Sequence, residues 1–231
     1  MPVPETTSGQ HKKKRILLVD DHPVLRRGLA ALVEVEPDFI VCGEAATCQE
    51  ALDAFTGNKP DLVIVDIELE GRDGLDLVRE LKSRYPEVPA LVLSMYDESV
   101  YAERSLKAGA MGYLSKQQLD ETVLIAMRTI VDGQIYMSDK LQTQLAHKFL
   151  GGRPHQSDSY VGTLSNRELQ VFRMIGRGQS TRQVAKSLSL SIKTIESHIE
   201  HIKHKLTLES ATELVHRATQ WVESGGRGNN E

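Results

Sequence analysis

Five short aliphatic runs recur along the first half of the chain, at residues 16–20, 39–45, 62–66, 90–94 and 112–115. A stretch with helical spacing follows each of them, at about 23–34, 47–56, 74–85, 97–108 and 120–131. This rhythm constrains the fold more than any other feature. Two parallel strands need a crossover of about a dozen residues, which one helix supplies, and such crossovers wind right-handed. Runs that are apolar at consecutive positions belong to strands buried on both faces. The reading is an α/β doubly wound domain, a five-stranded parallel sheet covered by helices on either side. Thr47, with Glu50 three residues on, marks the start of the second helix as a capping box.

The rhythm stops near residue 133. Residues 138–150 read as one further helix, and "GGRPHQSDSYVG" at 151–162 reads as a linker, rich in Gly and Ser and nearly devoid of apolar side chains. Beyond it no strand pattern remains, only four helices at about 165–176, 180–187, 192–206 and 210–223. The expected organisation is a disordered lead-in at 1–13, an α/β domain at 14–133, a linker at 134–160, an all-α domain at 161–223 and a disordered tail at 224–231.

The net charge of −4 conceals an asymmetry. Residues 15–137 carry 12 Lys/Arg against 22 Asp/Glu, whereas residues 163–222 carry 9 against 5, with four histidines. An acidic half followed by a basic half points to two domains with different partners, the basic one facing nucleic acid. Nothing approaches the ~18 consecutive apolar residues of a membrane helix, and the polar N-terminus lacks the apolar middle of a secretory signal. The basic run Lys12–Arg15 reads as a solvated flank of the first strand. Cys42 and Cys48 form neither a disulfide framework nor a metal spacing, as expected of free thiols in a reducing cytoplasm.

The strand ends carry the chemistry. The first run ends in Asp20 and Asp21, the third in Asp66 and the fourth in Ser94, and Lys116 follows the fifth. Ligands of an open parallel sheet bind at the carboxyl ends of its strands, so these five residues share one rim. Two carboxylates about 4 Å apart repel by roughly 4 kcal/mol at an effective dielectric near 20. Such a cluster calls for a cation, and Mg²⁺, which takes oxygen ligands and retains waters, suits it best. One carboxylate can then attack a phosphoryl group, giving an aspartyl phosphate, while Lys116 and Ser94 hold its oxygens.

The segments "ILLVDDHPVLRRGL", "PDLVIVDIELEGRDGLDLV", "ALVLSMYD" and "LKAGAMGYLSK" resemble the receiver domain of bacterial two-component response regulators over about residues 14–133. The resemblance implies a flavodoxin-like fold and makes Asp66 the phosphoacceptor for a sensor histidine kinase. It matches Asp20 and Asp21 to the metal-binding acidic pair, with Asp21 and Asp66 as direct ligands and the backbone carbonyl of Glu68 completing the protein shell. Ser94 matches the switch hydroxyl, Lys116 the phosphate-binding lysine and Tyr113 the aromatic that turns inward on activation. One departure stands out: the family usually has proline four residues after the phosphoacceptor, where this chain has Glu70.

In the basic half, Ser165 with Glu168 caps the first helix, Gly176 and Gly178 end it, and Ser180 and Ser191 cap the next two. In the third, Ile195, Ile199, Ile202 and Leu206 form an apolar stripe, and Lys193, Ser197, Glu200 and His204 share the opposite face. "LSNRELQVFRMIGRG", "STRQVAKSLSLSIKTIESHI" and "KLTLESATELV" resemble the LuxR-type helix-turn-helix over about 161–223. That match implies phosphate contacts from Thr194 and Lys205, base-reading positions at Glu196, Ser197 and Glu200, and a DNA-facing surface that includes Lys193 and His201. Two base-reading positions are acidic where basic residues are common. His201 stands where Asn is usual, and Ala211 where Arg is frequent. His198, His201 and His204 lie within a 120° arc and read as polar surface rather than as a metal site.

Together the halves resemble a NarL/FixJ-type response regulator. That resemblance implies a bacterial, cytoplasmic transcription regulator dependent on Mg²⁺ and on phosphorylation of Asp66. It would bind double-stranded DNA as a homodimer, with RNA polymerase as a further partner and no membrane. The receiver would promote its own phosphoryl transfer and dephosphorylation without being a free-standing enzyme. The rival readings are a phosphate-independent DNA-binding regulator and a metal-dependent phosphatase with an aspartyl nucleophile. The phosphatase needs a general-acid Asp two residues past the nucleophile, where this chain has Glu68.

Overall fold

The computed structural model describes residues 12–70, 72–119, 121–149 and 160–224. The expected lead-in up to residue 11, residues 150–159 of the linker and the tail from residue 225 lie outside the described residues. Five parallel strands, β1 (Lys14–Val19), β2 (Phe39–Ala45), β3 (Leu62–Asp66), β6 (Ala90–Ser94) and β7 (Gly112–Ser115), form a sheet of order β2-β1-β3-β6-β7. A short antiparallel hairpin, β4 (Glu68–Leu69) and β5 (Arg72–Asp73), follows β3 and was not foreseen. Helices α1 (Pro23–Glu34), α2 (Cys48–Asn58), α3 (Gly74–Arg84), α4 (Glu98–Ala108) and α5 (Glu121–Val131) make the crossovers, and α6 (Asp139–Phe149) follows.

Both faces of the sheet are buried, and the strand residues alternate between them. Ile16 and Leu18, Leu62 and Ile64, Leu91 and Leu93, and Leu114 pack with Leu29 and Val33 of α1 and Met127 and Ile130 of α5. Leu17 and Val19, Val63 and Val65, Val92 and Tyr113 pack on the other side with residues of α2, α3 and α4. Each fully buried aliphatic side chain contributes about 1.5–3 kcal/mol, so strand register is set by both faces at once. Strand order reverses after β1, which places the crevice between β1 and β3, at the ends bearing Asp20 and Asp66.

The second half is helical: α7 (Asn166–Gly176), α8 (Thr181–Ser187), α9 (Ile192–Leu206) and α10 (Ala211–Glu223), preceded by a 3₁₀ turn at Tyr160–Thr163. Capping boxes start α7 at Ser165 and α8 at Ser180, and Ser191 and Ser210 cap α9 and α10. Gly178 takes the left-handed conformation (φ 79°) after α7. Gly176 is the last residue of that helix, as expected, and it is also a crossing point. Helix α10 crosses so closely that a Cβ there would lie 2.3 Å from the Ala218 carbonyl oxygen. The core of this half is continuous with one side of the sheet, because Phe172 and Trp221 join Tyr96 and Tyr101.

A second close approach positions the rim. Asp73 caps α3 by accepting from the Leu75 N–H at 2.8 Å, and a Cβ on the next residue, Gly74, would lie 1.9 Å from the Asp66 carbonyl oxygen. The Gly74→Ala variant should therefore push α3 from the end of β3 and lose about 1–3 kcal/mol of stability. Urea unfolding reads the loss, and Gly176→Ala should behave comparably at the α7–α10 crossing.

Candidate functional site

The sheet gathers Asp20, Asp21, Asp66, Ser94 and Lys116 at its carboxyl edge, although they span nearly the whole first half. Lys116 lies in a 3₁₀ turn just after β7. Its Nζ donates to Asp20 Oδ2 at 2.7 Å and to Asp66 Oδ2 at 2.6 Å, and all three side chains are buried. Asp20 Oδ1 accepts the His22 N–H at 2.8 Å, and Arg26 donates to the Asp20 carbonyl at 2.5 Å. One ligand atom from each of Asp20, Asp21, His22 and Asp66 falls within 4.8 Å of the others. Asp21 Oδ1 is shielded from solvent without a hydrogen bond, although His22 Nδ1 lies 2.6 Å away.

One ammonium serves two buried carboxylates, and the electrostatics show the deficit. Burial alone would lower the pKa of Lys116, but Asp66 and Asp20 outweigh it and hold the ammonium firmly charged. Asp66 fares differently. Burial pushes its carboxyl up from 3.8 to about 7, against the opposing pull of Lys116 and of the Glu68 N–H. A second positive charge is what this rim lacks. Three carboxylates, from Asp20, Asp21 and Asp66, converging around a single ammonium fit a hard divalent cation.

Ser94 and Tyr113 are buried but do not bond the carboxylates; they converge on Tyr96 instead. Ser94 Oγ accepts the Tyr96 N–H at 3.1 Å, and the Tyr113 hydroxyl donates to the Tyr96 carbonyl at 2.7 Å. Glu68 sends its carboxylate away from the rim, into an ion pair with Arg177 at 2.7 Å. Glu70 is exposed beyond the hairpin's first strand.

The second site is helix α9. Ile195 and Ile202 are fully buried, while Ile199 and Leu206 are partly buried against the same core. Lys193, Glu196, Ser197, Glu200, His201, His204 and Lys205 are exposed on α9, and Thr194 is half-buried. Ser191 caps the helix by accepting the Thr194 N–H at 3.0 Å, and its hydroxyl meets that of Thr194 at 2.8 Å. Two ion pairs escaped the sequence reading. Lys203 neutralises Glu200 at 3.0 Å, and Lys205 reaches Glu168 of the α7 capping box at 2.6 Å.

Comparison with known proteins places both sites in one family. The response regulator receiver domain matches residues 16–128, and the bacterial regulatory proteins of the luxR family match residues 162–218. The oxygen regulatory protein NreC of Staphylococcus haemolyticus is 36% identical over 211 residues, covering 88% of this chain and 96% of its own. Its counterpart in Staphylococcus aureus (strain MRSA252) is 34% identical over 209 residues, at 88% and 96% coverage. The chain belongs to the LuxR-family response regulators. A LuxR-family two-component response regulator from an Aurantimonas species, known from its crystal structure, is 31% identical with a TM-score of 0.56, over 60% of this chain and 99% of its own. RcsB of Salmonella enterica serovar Typhimurium, bound to promoter rprA in the presence of BeF3⁻, shares the fold with a TM-score of 0.66. It is 22% identical and covers 89% of this chain and 98% of its own.

This response regulator also has contacts between its two halves that no motif announces. Arg104 of α4 donates to Asn166 Oδ1 at 2.9 Å and to the Val161 carbonyl at 3.0 Å. Arg177, just past α7, binds both Glu68 and Tyr96, and Arg173 of α7 lies over the Tyr96 ring. An arginine on a helix carries no sequence mark of a partner some hundred residues away, so only the fold could reveal these pairs.

The raised value of Asp66 gives a pH signature to the cation-free receiver. A carboxyl whose folded pKa, about 7, exceeds its unfolded 3.8 holds its proton more tightly when folded. Stability is therefore lost as pH rises through that window. In chelator, Asp66→Asn should be more stable than wild type at pH 8, by up to about 4 kcal/mol, and so melt higher. Its advantage should vanish as the pH falls towards 4, as thermal melts across that range would show.

Proposed function

We propose that this regulator is a phosphorylation switch in which Asp66 accepts a phosphoryl group from a sensor histidine kinase and thereby controls DNA binding and transcription. The observation that carries the reading is the buried Asp66 carboxylate with the Lys116 ammonium 2.6 Å away and Asp20 and Asp21 beside it. An Asp66 carboxylate oxygen attacks phosphorus, the bond from phosphorus to the donor's imidazole nitrogen breaks, and the imidazole leaves with that electron pair and takes up a proton. Lys116 then holds a phosphoryl oxygen, and the Ser94 hydroxyl, on rotating from Tyr96, holds another. Asp20, Asp21, Asp66 and the Glu68 carbonyl would hold Mg²⁺. When bound, the ion supplies the positive charge the rim lacks and neutralises the phosphoryl oxygens.

Beside the rim, Val24, Leu25, Leu32, Met95 and Leu119 line an apolar groove. Val24 is 81% exposed and Met95 56%. A groove of this kind next to the reacting carboxylate fits the kinase's phosphohistidine-bearing domain. The reading gives no free-standing enzyme. Glu68, where a phosphatase would need its general acid, is bound to Arg177 and held below the usual carboxylate range: burial would raise it, but Arg173 and Arg177 prevail.

On the DNA side, Thr194 and Lys205 contact phosphates, and Glu196, Ser197, Glu200 and His201 face base edges, with Lys193 beside them. The capped, exposed α9 supports this reading, as does the promoter-bound RcsB. Val215 on α10, 47% exposed, supports pairing of two copies over two half-sites. The setting is the bacterial cytoplasm, with RNA polymerase the further partner.

Incubation with a small phosphoryl donor and Mg²⁺ should label wild type but leave Asp66→Asn unlabelled, as mass spectrometry of the intact chain would reveal. Asp21→Ala should need at least tenfold more Mg²⁺ for half-maximal labelling. For DNA, Lys193→Ala should lower the slope of log K against log salt by about 1, read by anisotropy titration. Ser197→Ala should instead change which bases are preferred.

A further inference from the structure

Helix α4 presents an unusual face. Val100, Glu103, Arg104 and Lys107 stand at i, i+3, i+4 and i+7, the spacing of an apolar stripe, yet three of the four are charged. They line a cavity of about 750 Å³, together with Arg79 of α3 and, from the second half of the chain, Leu164 and Asn166. That volume falls in the range of small-molecule sites, which combine apolar walls with a few placed polar groups. Val100 and Leu164, both buried, supply apolar wall. The charged groups are three cations against the single carboxylate of Glu103.

The cations are open to a further partner. Lys107 meets Glu103 at 2.7 Å, and Arg79 meets Asp76, through side chains exposed to water. Exposed pairs of this kind contribute little and exchange readily. Arg104 is half-buried, and its guanidinium donates to neutral oxygens: Asn166 Oδ1 at 2.9 Å and the Val161 and Gly162 carbonyls at 3.0 and 3.3 Å. Burial pulls its pKa below the usual arginine value, outweighing the pull of Tyr101 and of the carboxylates around it. A concave site with excess positive charge suits an oxyanion, because the guanidinium fork matches phosphate and carboxylate alike. The cavity is many times the size of a bare ion, so the ligand carries an organic body.

We infer that this cleft between α4 and the start of α7 binds a small organic oxyanion, a phosphate ester or a polycarboxylate, held by Arg79, Arg104 and Lys107. None of these three belongs to the phosphoacceptor rim or to α9, so the site is separate from both. Its walls come from both halves of the chain, and a bound ligand touches both.

The test is calorimetry on the full chain in metal-free buffer, with glucose 6-phosphate and citrate as probes and glucose as the neutral control. At least one anion should bind saturably and glucose should not, and the anion that binds tells phosphate ester from carboxylate. With that anion present, amide hydrogen exchange should slow over residues 99–107 and 160–166. Lys107→Gln and Arg79→Gln, both at exposed positions, should each weaken binding about fivefold or more. Glu103→Gln, which removes the opposing carboxylate, should tighten it about threefold, a gain that damage to the fold would not produce. Binding of neither anion, equal binding of glucose, protection confined to α9 or to the strand ends, or unchanged affinity in any of the three variants would each overturn the site. None of these outcomes bears on Asp66 as phosphoacceptor.

Discussion

Lys116 between Asp20 and Asp66 is the interaction around which the receiver is organised. Strand β7 has to run parallel to β6 and end level with β1 and β3 for a single ammonium to meet both carboxylates at 2.6–2.7 Å. The apolar strands deliver these groups to the edge because Leu, Ile and Val on both faces fix their register. Yet one cation cannot satisfy the rim. The Asp66 carboxyl remains raised despite its ion pair, and Asp21 brings a third carboxylate to the same rim. Burying charge without full compensation is costly, and here the shortfall is the chemical character of the site. The same rim that is uncomfortable alone is suited to a divalent ion and to the oxygens of a phosphoryl group.

The rim's consequences spread through its neighbours in sequence. Ser94 and Tyr113 both act on the backbone of Tyr96, and Tyr96 carries Arg177 and Trp221 on its side chain. Glu68, two residues past Asp66, is similarly claimed by the far half of the chain. The core that begins under β3 and β6 runs without a break into Phe172 and Trp221. Rim residues and the residues that meet the other half are two positions apart on the same loops. Helix α9 keeps Lys193, Glu196, Ser197 and His201 exposed, and Lys203 lies on Glu200.

Much of the architecture was legible in the chain. Aliphatic runs separated by single helices dictate a parallel, doubly wound sheet, and Thr47, Ser165, Ser180 and Ser191 mark the starts of four helices as caps. What escaped had nonlocal or steric causes. The hairpin after β3 is only two residues per strand, too short for any periodic pattern. Gly176 ends α7 as its residue type suggests, but its second role as a crossing point was hidden, because the neighbour is the Ala218 carbonyl on another helix. The Glu200–Lys203 pair is local, at i and i+3, whereas Lys205 meets Glu168 only because α9 packs on α7.

The sequence by itself determined the fold class, the polar groups at the strand ends and the apolar stripe of the recognition helix. Each of these follows from residue type and local period. Only the tertiary structure decided which groups touch. It put Lys116 on Asp20 and Asp66, turned Ser94 and Tyr113 onto Tyr96, and brought Arg177 to Glu68 across 109 positions of chain. A salt bridge between distant residues depends on the docking of whole elements, and a charge in the sequence says nothing of its partner until those elements have packed.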